Sequence, residues 1–125
     1  MVATPQITPA AHGRTLSRAA IRAAQLLGLT QAELAPILGV SRATVSRMAA
    51  GEYPLSDGQK SWELAALFVR LFRSLDALVG SKDEQAKAWL NSENAALGAT
   101  PRELISKAEG LVCVVHYLDS VRGRI

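Results

Sequence analysis

Five polar or charged side chains lie close together in the sequence and have the chemistry needed to contact nucleic-acid bases and phosphates. They are Ser41, Arg42, Thr44, Ser46 and Arg47. An arginine guanidinium binds O6 and N7 of guanine with two hydrogen bonds, and a threonine methyl group contacts the methyl group of thymine. We therefore predict base contacts from Arg42 and Thr44, and a base or phosphate contact from Arg47.

Capping signals predict the two short helices that would position these residues. Thr30 and Glu33 form the Thr-x-x-Glu capping box that begins one helix, and Gly39 ends it. Ser41 then caps a second helix, which carries the candidate base contacts. Gln31 and Ser41 lie at the two helix N-termini, where phosphate oxygens bind well, so we predict phosphate contacts from both.

Apolar residues at fixed spacing predict that these two helices cross closely. A close crossing needs a small residue at the contact, a residue that tolerates positive φ in the turn, and apolar anchors. Ala35 is the small residue and Gly39 makes the turn. The apolar anchors are Leu34, Leu38, Val40, Val45 and Met48. Together these positions indicate a helix-turn-helix in Gln31–Gly51, whose second helix would lie in the major groove of DNA.

The charge of the chain is unevenly distributed. Residues 1–50 contain five arginines and one glutamate, a balance of +4, whereas residues 51–125 contain nine Lys or Arg and ten Asp or Glu, a balance of −1. Arg14, Arg18 and Arg22 recur at i, i+4 and i+8 on one face of a predicted helix. The pattern favours phosphate contact in the first half, although a basic solvated surface explains the charge equally well.

Few residues are capable of covalent or metal chemistry. Cys113 and His116 lie three positions apart, but Cys113 is flanked by valines, so we predict a buried, inert thiol. The two histidines and one cysteine have no metal-ligand spacing, and the sequence contains no glycine-rich phosphate loop. These features predict a protein that is not an enzyme and uses no cofactor or metal.

Composition also indicates a cytoplasmic protein. A single cysteine excludes an intramolecular disulfide and suits a reducing compartment. Met1–Gly13 lacks the basic and apolar regions of a signal peptide. No apolar run in the sequence approaches the roughly 18 residues that a membrane span needs, so we expect no membrane contact.

The periodicity of apolar residues predicts helices in the middle of the chain. After a flexible arm over Met1–Gly13, helices are predicted at Thr15–Leu27 and, capped by Ser56 with Gln59, at Gly58–Val79. The second of these has an apolar stripe at heptad spacing. The stripe comprises Leu64, Phe68, Leu71, Leu75 and Leu78. It would either pack within its own domain or form the seam of a dimer.

Further helix signals fill the C-terminal third. Ser81 begins a helix through another capping-box pattern, and Thr100 with Pro101 begins a helix that is expected to end at Gly110. The last segment, Leu111–Arg122, is rich in valine, but the spacing of its apolar residues favours a helix over a strand. The predicted fold class is therefore all-α.

Two strings of residues resemble known families. The string TQAELAPILGVSRATVSRMAAG, which contains Gln31–Gly51, resembles the phage-repressor-like DNA-binding domains of the Xre type. The string AWLNSENAALGATPRELISKAEGLVCVVHYL resembles the toxin-binding segment of the Xre/MbcA/ParS antitoxins. The matching positions include Trp89-Leu90, Asn94, Ala96-Leu97, Gly98, Thr100-Pro101, Glu103-Leu104, Gly110 and Leu118.

The resemblance implies an organisation and a function. The arm 1–13 would be followed by a helix-turn-helix bundle over 14–79 and a small helical toxin-binding domain over 80–125. Antitoxins of this family are typically encoded beside a RES-domain toxin that consumes NAD⁺, so the resemblance implies neutralisation of such a toxin and repression of the shared operon. It implies that the C-terminus reaches the toxin's active-site cleft and blocks or mimics a phosphate-bearing ligand. The implied toxin contacts are Trp89, Asn94, Arg122, Gly123, Arg124 and Ile125.

Dimerisation is expected on separate grounds. A single helix-turn-helix offers few base contacts, and specific readers of this kind usually bind paired half-sites as two-fold dimers. The residues alone leave a second function open, namely a stand-alone Xre-type transcriptional repressor whose C-terminal domain dimerises or senses a ligand.

Overall fold

The computed structural model describes residues 9–52 and 55–123, and this part of the chain is all-α, as predicted. The described helices are α1 (Pro9–Leu26), α2 (Gln31–Leu38), α3 (Arg42–Ala49), α4 (Lys60–Leu78), α5 (Asp83–Asn91), α6 (Pro101–Leu104) and α7 (Ala108–Arg122). Among the described residues the β-type pairing is a single isolated bridge between Asn94 and Ala99.

The helix pair α2–α3 forms through the predicted capping and turn residues. The Glu33 N–H donates to Thr30 Oγ1 at 3.1 Å, and the Thr30 N–H donates to Glu33 Oε1 at 3.0 Å, which confirms the capping box. Gly39 takes φ of +68° and ends α2 in the left-handed conformation. A Cβ atom at Gly39 would lie 3.1 Å from Leu64 Cδ1, so the turn also packs tightly against α4.

The apolar anchors of the pair are buried as predicted. Leu34, Leu38, Val45 and Met48 are each at most 2% exposed, and Ala35 is 6% exposed. Val40 is half-buried against the same core. Because α2 and α3 pack against each other, α2 against α4 and α3 against α1, the angle between the two short helices is set by this shared core.

The core continues across the expected domain boundary at residues 79 and 80. Helix α4 packs against both α1 and α7. Four residues of its apolar stripe, Leu64, Phe68, Leu71 and Leu75, are buried within the chain, and Leu78 is half-buried. The stripe therefore packs on its own chain and is not available as the seam of a dimer.

Part of the predicted flexible arm is helical. Helix α1 begins at Pro9, so the arm prediction is wrong for residues 9–13, and residues 1–8 lie outside the described part. The reason is a close contact at Gly13, where a Cβ atom would lie 2.0 Å from the Leu55 carbonyl oxygen. The Leu55 N–H also donates to Ser17 Oγ at 3.3 Å. Glycine permits this approach, which holds the start of α1 against the segment before α4.

Two predicted capping boxes do not form. Helix α4 begins at Lys60, two residues later than expected, with Gln59 as its N-cap and no side-chain cap bond. Helix α5 begins at Asp83 with Lys82 as its N-cap, and it also lacks a side-chain cap bond. The Ser81 hydroxyl instead donates to Asp76 Oδ2 at 3.0 Å. This side chain is therefore used to close the end of α4.

The predicted helix from Thr100 to Gly110 is broken. Helix α6 ends at Leu104, and Gly110 lies in the first turn of α7 instead of ending a helix. A Cβ atom at Gly110 would lie 2.0 Å from the Leu104 carbonyl oxygen. The glycine thus allows α6 and α7 to meet closely, and the helical prediction for Leu111–Arg122 is confirmed. None of the described helices is both long and apolar enough to span a membrane.

Candidate functional site

The N-terminal end of α3 is exposed on the surface. Val45 and Met48 turn one face of α3 into the core, which leaves Ser41, Arg42, Ser46 and Arg47 exposed and Thr44 half-buried. Gln31, at the start of α2, is also exposed. The structure therefore brings the predicted base and phosphate contacts to an accessible surface, as a recognition helix requires.

The Ser41 hydroxyl is occupied in capping α3. Its Oγ accepts the Thr44 N–H at 3.1 Å and donates to Thr44 Oγ1 at 3.0 Å. The N–H groups of Arg42 and Ala43 precede the first hydrogen bond of the helix and remain directed out of its end. An anion at this end would therefore be bound by backbone N–H groups, with the Ser41 side chain holding the helix terminus in place.

An ion pair connects α2 to the C-terminal module. Arg102 Nε donates to Glu33 Oε2 at 2.7 Å, a second guanidinium nitrogen donates to the same oxygen, and Arg102 Nη1 donates to Asn91 Oδ1 at 2.8 Å. The Arg102 hydrogen bond, followed by that from the Thr30 N–H, holds the pKa of Glu33 below its ordinary value. Glu33 therefore stabilises the start of α2 while being held by α6.

The predicted toxin-contact residue Trp89 lies in an aromatic pair. Its ring stacks on that of Tyr117 with centroids 6.4 Å apart and planes 17° from parallel. Both side chains are half-buried, so part of each ring remains accessible. The pair joins α5 to α7 and presents an apolar surface of the kind that is enriched at protein interfaces.

Asn94 organises the turn between α5 and α6. Its Oδ1 accepts the N–H groups of Ala96 and Leu97 at 3.0 and 3.2 Å, and its N–H donates to the Ala99 carbonyl at 3.1 Å. Gly98 completes the turn with φ of +78°. The structure thus gives Asn94 a local role, and a contact with a toxin remains a prediction.

Arg122 folds back onto α4. Its Nη1 donates to Ser74 Oγ at 3.2 Å, and the buried Ser74 hydroxyl donates to Asp119 Oδ1 at 3.2 Å. Arg70 forms an ion pair with Asp119. The Gly123 N–H continues the helical pattern by donating to the Asp119 carbonyl at 3.0 Å, while Arg124 and Ile125 lie outside the described residues. The contacts of Arg122 are therefore distinct from the Trp89–Tyr117 pair.

A cavity of about 610 Å³ lies where α1, α4 and α7 meet. It is lined by His12, Thr15, Leu16, Ala19, Trp62, Ala66, Val69, Arg70, Arg73, Ser74, Asp119 and Arg122. None of the predicted DNA contacts lines it, so the cavity is separate from the exposed end of α3.

Cys113 is exposed, so the prediction of a buried thiol is wrong. The valines that flank it in sequence do not surround it in space. Val114 and Val115 turn into the core because they lie on the buried face of α7, whereas Cys113 and His116 lie on the outer face. Within residues 9–52 and 55–123, no three His, Cys, Asp or Glu side chains are grouped closely enough to hold a metal ion.

Two important contacts were not predicted from the sequence. The Arg102–Glu33 pair joins residues 69 positions apart, and Tyr117 meets Trp89 across two helices. Both depend on how α6 and α7 fold back on earlier helices, and local spacing carries no signal of that arrangement.

An exposed recognition helix on a compact helical bundle, joined to a second helical module, defines a protein of the helix-turn-helix DNA-binding class. The sequence was compared with models of protein families. The family model of the antitoxin Xre-like helix-turn-helix domain matches residues 6–70, which is more than half of the chain. The model of the antitoxin Xre/MbcA/ParS C-terminal toxin-binding domain matches residues 74–124. The chain belongs to the Xre/MbcA/ParS antitoxin family, which confirms the resemblance. Comparison with curated proteins found no match.

Proposed function

We propose that this chain is a cytoplasmic antitoxin that neutralises a RES-domain, NAD⁺-consuming toxin and represses the operon that encodes both proteins. The observation that carries the proposal is that one chain combines an exposed α3 N-terminus with a matched toxin-binding module. In this proposal the protein acts by binding alone and uses no cofactor.

Operator binding is supported by the chemistry of α3. Arg42 is exposed beside the unpaired N–H groups of the first turn, so it can approach a base edge while the helix terminus approaches a phosphate. Arg47 is exposed one turn and a half further along the same helix. Helix α3 would thus enter the major groove with its N-terminal end first.

A homodimer is part of the proposal because α3 has only eight residues. Such a helix contacts few base pairs, and two copies on paired half-sites would double that number. Any dimer surface must lie elsewhere than the stripe of α4, which is buried within the chain.

Toxin binding is supported by the aromatic pair on α5 and α7. Partly accessible Trp and Tyr side chains are frequent sources of binding energy in protein interfaces. Trp89 and Tyr117 fall within the matched toxin-binding segment. We propose that this pair contributes to the toxin interface and that the segment beginning at Arg122 approaches the toxin's active-site cleft.

Co-expression with the product of the neighbouring gene tests the proposal. The chain should retain that product through affinity purification, restore growth, and restore cellular NAD⁺. Trp89→Ala should weaken the complex about 10-fold or more. Trp62→Ala is the matched control, because Trp62 is also half-buried but lies on α4 outside the toxin-binding match.

Neutralisation, the class of the toxin and operator repression are each tested by a different result. Failure to retain the neighbouring product, or growth that does not recover, would contradict neutralisation. Recovery of growth without recovery of NAD⁺ would contradict the assignment of a RES-domain toxin. Operator repression is measured independently, by binding of the purified chain to its own promoter and to an unrelated duplex.

A further inference from the structure

Helix α1 carries an exposed row of arginines that the proposed function has not used. Arg14, Arg18 and Arg22 are exposed, and none of their side chains forms an ion pair or hydrogen bond with another described residue. Arg18 and Arg22 are one turn apart, about 6 Å along the helix axis. Guanidinium groups that are not paired within the chain are free to bind a polyanion.

Arg18 and Arg22 lie close to one end of α3, and this position indicates what they could bind. Both side chains line a groove of about 310 Å³ together with Ile21, Gln25 and residues 48–51. Residues 48–51 form the C-terminal end of the recognition helix and the turn that follows it. The two arginines therefore lie beside the far end of α3, on the opposite end from Ser41.

The length of α3 determines where this groove lies on DNA. Eight helical residues extend about 12 Å, which is close to the width of the major groove. When the N-terminal end of α3 faces the bases, its C-terminal end lies near one wall of the groove, which is a phosphate backbone. Of the three arginines in the row on α1, Arg18 and Arg22 are then the two that lie closest to this phosphate backbone.

We propose that Arg18 and Arg22 bind the DNA phosphate backbone at the edge of the groove that α3 enters. This inference rests on the proposed operator binding and adds a second surface to it. The contacts fix the orientation of the protein on the duplex and carry no sequence information.

The local charge is consistent with this role. Arg47 is an exposed cation that directly precedes Met48, the first of the groove-lining residues 48–51, and the acidic Glu52 directly follows Gly51, the last of them. The other acidic residue of the helix-turn-helix, Glu33, is neutralised by Arg102. The surface formed by α1 and α3 therefore keeps a net positive charge beside the groove.

Salt titration of DNA binding tests the inference. The double variant Arg18→Gln/Arg22→Gln removes two cations while keeping a long polar side chain with good helix propensity. If each arginine neutralises one phosphate, the slope of log K against log salt concentration falls in magnitude by about 1.8. Affinity for the promoter and for an unrelated duplex should fall by the same factor, because phosphate contacts are independent of sequence.

A matched control separates contact from net charge. Arg73→Gln/Lys107→Gln removes two exposed cations from α4 and from the segment before α7, and neither side chain lines the groove beside α3. This variant should leave the slope unchanged. Equal slope changes in both variants would overturn the inference, and so would an unchanged slope in Arg18→Gln/Arg22→Gln.

Failure of the inference is distinguishable from failure of the proposed function. If the wild-type chain binds its promoter no better than an unrelated duplex, operator recognition fails, while the slopes still decide the phosphate contacts. If the wild-type chain binds no duplex, both fail. Thermal unfolding of each variant checks that the helices remain folded.

Discussion

Arg102 on α6 and Glu33 on α2 form an ion pair between the toxin-binding module and the first helix of the helix-turn-helix. The same carboxylate caps α2 by accepting the Thr30 N–H, and the same guanidinium donates to Asn91 at the end of α5. One side-chain pair thus ties the N-terminus of a DNA-binding helix to the segment that carries the toxin-binding match.

The first prediction concerns the strength of this pair. The two side chains are 30% and 36% exposed, so solvent screens their attraction, and we expect a coupling energy of about 0.5–1 kcal/mol. A double-mutant cycle with Arg102→Ala and Glu33→Gln, followed by urea unfolding, measures it. Strictly additive losses of unfolding free energy would show that the pair does not stabilise the fold.

The second prediction concerns pH. The pKa of Glu33 is lowered in the folded chain, so its contribution to stability is present above the ordinary value of 4.5 and is lost as pH falls through the folded value. The destabilisation caused by Arg102→Ala should therefore be larger at neutral pH than in acid. Comparing the unfolding free energy of wild type and variant at each pH cancels the contributions of the other carboxyl groups, which are the same in both proteins. A difference that stays constant into acid would contradict the assignment of Arg102 as the main cause.

The third prediction concerns the contact between α6 and α7. Gly110→Ala places a methyl group against the Leu104 carbonyl, so the helices must separate, and we expect a loss of about 1–3 kcal/mol in unfolding free energy. Gly123→Ala is the matched control, because φ there is −65° and the nearest atom would be 3.5 Å from the new Cβ. Equal stability of the two variants would show that the α6–α7 contact tolerates a side chain.

The fourth prediction concerns base recognition by α3. If Arg42 binds a guanine through two hydrogen bonds, Arg42→Ala should cost about 1–3 kcal/mol of operator affinity and relax specificity at one base pair. Measuring affinity for operators substituted at each position identifies that base pair. Uniform weakening on every duplex would instead identify Arg42 as a phosphate contact.

The features that depend on local interactions were predictable from the sequence. The Thr30–Glu33 box and the Gly39 turn each involve residues close in the chain, and the apolar anchors Val45 and Met48 follow helical spacing. These features predicted the position of α3 and the surface that it exposes.

The features that depend on contacts between distant segments were not predictable in the same way. Gly13 and Gly110 looked like a loop residue and a helix stop, but each is a helical glycine that admits a carbonyl from another segment. The exposure of Cys113 depends on which face of α7 meets α4, and the partner of Arg102 is 69 positions away. The partner of Arg102 is not encoded in nearby residues, so tertiary packing had to be known first. The exposure of Cys113 follows from the helical spacing of Leu111, Val114 and Leu118, and it was missed because the flanking valines were considered without that spacing.

The fifth prediction concerns the C-terminal residues. Arg122 is bound to Ser74, so removing only Gly123–Ile125 leaves that contact intact and tests the segment beyond it. Under the proposed function this truncation should abolish growth rescue while preserving operator binding and much of the affinity for the toxin, because the Trp89–Tyr117 surface is unchanged. Arg122→Ala with the last three residues retained is the companion variant, which loses the contact with α4. If the truncated chain still rescues growth, the C-terminal residues do not block the toxin, and neutralisation must come from the surface formed by α5 and α7.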